Sequence, residues 1–243
     1  MRVLLPEPGE TVPAELLADL GLVELARQDR PYVILNFAAT VDGRATIDGR
    51  SGPIASSTDT EILQRLRTQV DAVMIGAGTM RVERYGRMVS DPSLRALRER
   101  IGLPHDPLAV IVSGRLDLPW DAPLFTDGGG RCLIFTASEA EPPETATPVR
   151  VVRHERRVDL AECLRHCRQE RGVRALLCEG GPILHGQLQA EGLADELFLT
   201  IAPRLAGGLA PRILEGELPG VAEMELVWLL ESDGELFARY RRR

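Results

Sequence analysis

A chain of 243 residues, 44% hydrophobic and 27% charged, is long enough to bury a substantial core without disulfides or metals, and this apolar content argues against disorder. Its net charge of −7 excludes the broad basic face that binding to nucleic-acid phosphates requires. The four cysteines form no C-x-x-C pair, the N-terminus is acidic and proline-broken, and no apolar run reaches membrane-spanning length, so a reducing cytoplasm with no membrane partner is expected. The chain has no lysine, so a cofactor phosphate would have to be held by arginine, hydroxyl or main-chain groups.

In chain order, Leu16, Leu17, Leu20, Val23 and Leu25 recur at helical spacing behind Pro13 and Glu15, which predicts a helix over Ala14 to Gln28. Tyr32 to Ala39 is a nearly continuous apolar run, as in a buried strand. Asp42-Gly43 turns the chain, and Arg44 to Ile47 is expected to return as a short strand. Thr58-Asp59 is read as the cap of a helix reaching Gln69, with Ile62, Leu63 and Leu66 on one face. Asp71 to Gly76 is the next strand, followed by a short helix after Thr79, and Pro92 to Arg100 is a charged helix.

Strands over Leu108 to Val112 and Cys132 to Thr136 flank a Pro/Gly-rich stretch, and Val149 to Val152 is a further strand. A helix over Asp159 to Glu170 leads to a strand over Arg174 to Cys178. Gly180-Gly181-Pro182 opens a helix to Ala190, Leu197 to Ala202 is a strand, and Glu225 to Tyr240 folds into a hairpin at Asp233-Gly234. Such alternation predicts an α/β fold with three α-β-α layers, a mostly parallel central sheet and a C-terminal antiparallel hairpin. With no repeat and no linker, residues 1–30 read as a helical extension and 31–243 as one domain.

In parallel sheets ligands bind beyond the carboxyl ends of the strands, so the residues placed there are the functional candidates. Gly180-Gly181-Pro182 lets a phosphate approach main-chain amides at a helix start, although a tight turn that binds nothing has the same composition. Gly76-Ala77-Gly78-Thr79 repeats that logic with a hydroxyl, but Arg81 replaces the last glycine of a full G-x-G-x-x-G. Two such turns suit a dinucleotide. Of the two carboxylates, Asp42 is either a turn residue or a site residue, and Glu179 either a ligand or proton-relay group or a half-exposed ion-pair partner. The histidines have no ligand spacing, Cys163 and Cys167 read as core thiols, and no metal is expected. Arg95, Arg98 and Arg100 read as a solvated helix face.

Placed in order, YVILNFAATVDGRAT, LQRLRTQVDAVMIGAGTM, SDPSL and VRALLCEGGPILHGQLQAEGLADELFLTIAPRLAGG resemble the blocks of the RibD C-terminal, dihydrofolate-reductase-like family of pyrimidine reductases. The resemblance runs from Pro31 to the C-terminus. It implies a homodimer that uses NADPH to reduce the ribosyl group of a phosphoribosylamino-pyrimidine to ribityl, on either the deaminated or the diamino pyrimidine. By position it implies that Ala38, Thr40, Gly76, Gly78, Thr79, Glu83 and the run Gly180, Gly181, Pro182, Ile183, Leu184 to Gln187 line the cofactor. Ser113 would lie near its adenosine end and Arg115 near its 2′-phosphate. Arg67 and Glu179 would contact substrate, with Leu94 and one of Arg95 or Arg98 near its phosphate, and Glu179, Asp42 and Asn36 would form the catalytic set. The chain departs from the family pattern in lacking the aromatic residue that often follows Asp-Gly, in an arginine spacing shifted by one after Asp91-Pro92-Ser93-Leu94, and in lacking the deaminase half. Reduction of another pterin-like or heterocyclic substrate, and a catalytically silent nucleotide-binding dimer, are the competing readings.

Overall fold

The computed structural model describes residues 1–243 as eleven strands and seven helices. The strands are β1 (Arg2–Leu5), β2 (Gly9–Glu10), β3 (Tyr32–Thr40), β4 (Ala72–Gly76), β5 (Leu108–Val112), β6 (Cys132–Thr136), β7 (Val149–Arg153), β8 (Ala175–Cys178), β9 (Glu196–Ala202), β10 (Met224–Ser232) and β11 (Glu235–Arg242). The helices are α1 (Pro13–Leu16), α2 (Ser57–Thr68), α3 (Ala77–Glu83), α4 (Pro92–Arg100), α5 (Pro123–Thr126), α6 (Leu160–Arg171) and α7 (Pro182–Ala190). They assemble into two compact units, one built from Met1–Leu20, Val33–Leu66 and Cys178–Arg243, the other from Gly21–Tyr32 and Arg67–Leu177. Neither unit is contiguous in sequence, so no linker marks a boundary.

In the second unit the strand order is β8-β4-β5-β6-β7, with β4 to β7 paired in parallel. The side chains of β4, β5 and β6 are buried almost throughout, which is why these strands read as unbroken apolar runs with no polar alternation. Asp159 caps α6 by accepting from the Glu162 amide, and Gly172 ends it with φ +67. Cys163 and Cys167 are buried free thiols, as read from the sequence, and so are Cys132 and Cys178. Burial pushes the thiols of Cys132, Cys167 and Cys178 up to about 12, so they stay protonated at neutral pH.

In the first unit the order is β2-β1-β10-β11-β9-β3. β3 and β9 run parallel from Ile34↔Glu196 to Thr40↔Ala202, whereas β9, β11, β10 and β1 pair antiparallel. The hairpin turns where the sequence placed it, with Asp233 at φ +51 and Gly234 at φ +82, the left-handed pair a tight two-residue turn needs. Phe198 packs edge-on to Trp228 at 5.7 Å in this core. Glu196 is fully buried but is held by Arg239 at 2.8 and 3.0 Å and by Arg241 at 2.9 Å, so the charge is paired.

Three local expectations are corrected. The helix over 14–28 is confined to Pro13–Leu16, because Gly21 takes φ +60 and Leu17 and Leu22 reach the interior without a continuous helix. The preceding residues form strands that were not foreseen, since β1 pairs with β10 from the far end of the chain. The return strand over Arg44 to Ile47 reduces to isolated bridges, Arg44 to Arg212 and Ile47 to Arg50. The cap of α2 is Ser56, whose Oγ accepts from the Asp59 amide at 3.1 Å, while the Asp59 side chain is buried and accepts from Thr200 Oγ1 at 2.6 Å. Burial pushes the Asp59 carboxyl above its ordinary range, against the lowering effect of the Thr200 hydroxyl.

Candidate active site

In the first unit the site begins where β3 ends. Asn36, Ala38 and Thr40 alternate on one face of the strand, with Asn36 and Ala38 half-buried and Thr40 buried. Thr40 Oγ1 donates to Asp42 Oδ1 at 2.6 Å and accepts from the Arg44 amide at 2.9 Å, closing the turn predicted at Asp42-Gly43. The Asp42 carboxylate also accepts from the amides of Ala206 (3.1 Å) and Gly207 (2.7 Å), fastening the loop after β9 to the end of β3. The Thr40 hydroxyl first, then those amides, lower the Asp42 carboxyl to about 2. The group stays ionised at neutral pH and holds two segments together at the end of β3.

The second element is the β8–α7 turn. Half-buried Glu179 follows β8, and Gly180 has φ +106, a region that side-chain-bearing residues rarely adopt. The Gly180–Gly181 peptide is cis. Gly181 is the N-cap of α7 and Pro182 takes the first position, with no side chain capping the first-turn amides. Those uncapped amides, together with the absent side chain at the cap, fit a cofactor phosphate. Ile183 and Gln187 are exposed, while Leu184, His185 and Gly186 are buried. This corrects the expectation that the whole run from Gly181 to Gln187 lines a ligand: helical periodicity turns the Leu184 side chain into the core and leaves only its main chain for the site.

His185, given from the sequence no ligand spacing and named only within the run expected to line the cofactor, is the residue that organises this turn. Its Nδ1 donates to the Ile213 carbonyl at 2.7 Å, its ring stacks on Phe37 with centroids 4.6 Å apart, and Nε2 lies 3.4 Å from the Gln189 amide nitrogen. Burial lowers its pKa, keeping the ring neutral. The Glu215 amide donates to the Pro182 carbonyl at 3.1 Å, so the segment around 211–216 lies against the start of α7. Only the four-residue spacing of His185 and Gln189 on one helix hinted at this pair in the sequence.

The second unit has strand ends of its own. Gly76 caps α3 without a side-chain hydrogen bond, Gly78 is exposed, and Thr79 and Glu83 are half-buried. A side chain at Gly78 would meet nothing within 4 Å. Beyond β5, Ser113 is buried with its amide bonded to the Phe135 carbonyl, and Arg115 is exposed. Arg67 is buried, with Nη1 donating to the Met88 carbonyl at 2.8 Å and its guanidinium 5.7 Å from the centre of the Tyr85 ring. Leu94 and Arg95 are half-buried on α4, and the buried Arg95 Nε has no hydrogen-bond partner.

Arg98 is different, and corrects two readings at once. It is fully buried, neither a solvated charge nor available to a substrate phosphate. Nε donates to the Pro104 carbonyl at 2.7 Å, and Nη1 to the carbonyls of Arg67 (2.6 Å) and Val70 (2.8 Å), closing the end of α2. Burial lowers its pKa to about 10, with Asp71 and Asp106 opposing, so it remains charged at neutral pH. No group of three or more His, Cys, Asp or Glu side chains gathers as a metal site.

Residues 31–235 match the family described as the RibD C-terminal domain. The 2,5-diamino-6-ribosylamino-4(3H)-pyrimidinone 5′-phosphate reductase of Archaeoglobus fulgidus is 34% identical over 185 residues, covering 74% of this chain and 83% of the relative. The crystal structure of a pyrimidine reductase-like protein from Corynebacterium diphtheriae superposes with a TM-score of 0.79 at 24% identity, covering 96% of this chain and 99% of that one. Dihydrofolate reductase of Enterococcus faecalis superposes with a TM-score of 0.50 at 12% identity, covering 90% of this chain and 99% of that one. The two solved structures establish the expected fold class, a mixed α/β architecture with parallel strands and antiparallel C-terminal strands.

Proposed function

The chain belongs to the RibD C-terminal domain family, and from that premise we propose that it is an NADPH-dependent reductase of riboflavin biosynthesis that converts the ribosyl group of a 6-(5-phosphoribosylamino)pyrimidine to ribityl. The observation that carries the reading is the turn at Glu179-Gly180-Gly181, where a carboxylate stands immediately before an uncapped helix start. Of the two pyrimidines the diamino form is favoured, because the reductase of Archaeoglobus fulgidus, most of whose length the chain spans, is named for it.

The bound nicotinamide would supply a hydride to the ribosyl carbon of the ring-opened imine. The chain's part is to bind, orient and exclude water. In the first unit the first-turn amides of α7 would meet a cofactor phosphate and Ala38 leaves room on the face of β3; in the second, Thr79 and the Gly76–Gly78 main chain offer a phosphate the same kind of approach. Ser113 and exposed Arg115 take the adenosine end, the guanidinium supplying the charge that a 2′-phosphate needs. Glu179 contacts the pyrimidine and relays the proton taken up by the substrate nitrogen. Asn36, half-buried on β3, is assigned to the catalytic set as a neutral hydrogen-bonding group. With Arg98 committed to main-chain carbonyls, Arg95 is the arginine assigned to the substrate phosphate beside Leu94, and Arg67 orients the substrate. The same reading makes the protein a cytoplasmic homodimer, for which light-scattering mass in solution is the check. No helix is long and apolar enough to cross a membrane.

The test is a fluorescence titration with NADPH and NADH, followed by turnover assays on the diamino and deaminated substrates. Selective NADPH binding and oxidation with the diamino compound are expected. Glu179→Gln should keep NADPH binding and lose most turnover. Failure of both pyrimidines as substrates, or faster turnover of a phosphate-free heterocycle, would overturn the reading.

A further inference from the structure

The second unit holds a cavity at the end of its parallel strands opposite to the cofactor residues. It has a volume of about 260 Å³ and lies at the amino ends of β5, β6 and β7, where Leu108, Cys132 and Val149 line it. β5 separates it from Ser113 by five residues, about 17 Å of extended chain. Three arginines border the cavity: Arg131 before β6, Arg150 in β7 and Arg171 at the end of α6.

The charge at this place runs against the rest of the molecule. The whole chain carries −7, yet three arginines line this place against a single lining carboxylate, Asp71. Asp71 is already engaged, accepting from the amides of Arg174 (2.8 Å) and Ala175 (2.9 Å). Arg171 Nε and Nη2 are buried without a hydrogen-bond partner, an expensive arrangement for a cation unless an anion completes it. His166, one turn earlier on α6, feels the same concentration of charge: burial, then Arg171 and Arg150, hold its pKa below the ordinary range. Apolar Leu108 and Leu133 also line the space, so an occupant needs an uncharged body as well as a charged head.

We propose that this cavity is a second ligand site, which takes a small phosphomonoester with an apolar or aromatic body. Arginine forks suit a phosphate through paired N–H donors, and the volume admits little more than one ring beside the phosphate. The site is independent of the reductase reading, because none of its lining residues belongs to the cofactor or substrate sets. A ligand there would occupy the amino end of β5, the strand beyond whose carboxyl end Ser113 lies.

The test is calorimetric titration of the full chain with phenyl phosphate and with inorganic phosphate, in the presence of saturating NADPH. Phenyl phosphate should bind at least about tenfold more tightly than inorganic phosphate, and Arg171→Gln should weaken it by about tenfold or more. Arg131→Gln combined with Arg150→Gln should weaken it similarly. Both of those side chains are exposed, so the double variant decides the matter if Arg171→Gln fails to fold. NADPH affinity should be unchanged in all of them, which keeps this result separable from the test of the reductase reading. Equal affinity for the two anions, or phenyl phosphate binding unchanged in the double variant, would overturn the proposal. So would binding abolished by Arg95→Gln instead, which would place the anion on the substrate side.

Discussion

The two glycine turns that look alike in sequence are built differently. At Gly180-Gly181-Pro182 the helix that follows is pressed upon by another segment: the Glu215 amide bonds to the Pro182 carbonyl, His185 bonds to the Ile213 carbonyl, and a Cβ at Gly186 would collide with the Glu215 carbonyl oxygen. At Gly76-Ala77-Gly78-Thr79 the helix is seven residues long, Gly78 faces open space, and the outer turns are tethered by exposed pairs, Arg81 with Asp117 and Arg84 with Asp121. Exposed pairs hold geometry weakly. Glycine content therefore permits a ligand to approach the main chain at both turns, but rigidity is supplied only where buried contacts add it.

The largest effect that would sharpen this contrast is expected from Gly186→Val. With no room beside the Glu215 carbonyl, overpacking should cost roughly 3 kcal/mol, read as a lowered denaturation midpoint. A midpoint equal to wild type would mean that the 211–216 segment is loosely held. Next in size, Gly181→Val should weaken NADPH binding by about 2 kcal/mol, roughly thirtyfold in Kd, with the fold retained. Unchanged affinity in the titration would remove this turn from the cofactor site.

Acid should loosen the loop end of the same unit. The Asp42 carboxyl is lowered from 3.8 to about 2 by the Thr40 hydroxyl and the amides of Ala206 and Gly207. A lowered carboxyl stabilises the fold above pH 3.8, and that contribution disappears as pH falls from 3.8 through about 2. Asp42→Asn should flatten stability over that window, and an unchanged acid limb would show that the loop is fastened by other contacts. The smallest effect belongs to the open turn: Gly78→Ala should change stability by no more than about 0.5 kcal/mol. A large loss in thermal unfolding would show that α3 is as closely packed as α7 and would erase the distinction.

The sequence disclosed what depends on near neighbours and on burial of whole strands. β4, β5 and β6 are apolar on both faces, and the Asp233-Gly234 turn and the Gly181-Pro182 helix start are local chemistry, so each could be read directly. What escaped was fixed by distant partners. Arg98 lies in a run of charged residues and gave no sign that three main-chain carbonyls enclose its guanidinium. Asp59 looked like a cap until Thr200, on β9, drew it inward. β1 has strand character only because β10 pairs with it, and the leucines of residues 14–28 mimic helical periodicity while packing from a broken backbone. Within the site, the glycines and Glu179 could be found by position after a strand, whereas His185 acts through a loop that no local pattern ties to it.

The interleaving of the two units sets an order of events during synthesis. By the time Leu177 has left the ribosome, every residue of the second unit is present and its parallel strands can pair. The nine residues of β3 are then still without β9, and the Val33 amide awaits the Asp195 carboxylate, 162 positions further along the chain. A nearly continuous apolar strand is left waiting with an unpaired edge until β9, ending at Ala202, has followed. The nascent chain should therefore be most prone to chaperone capture and to aggregation in that interval, and a pause in elongation just before β9 would prolong the exposure rather than relieve it.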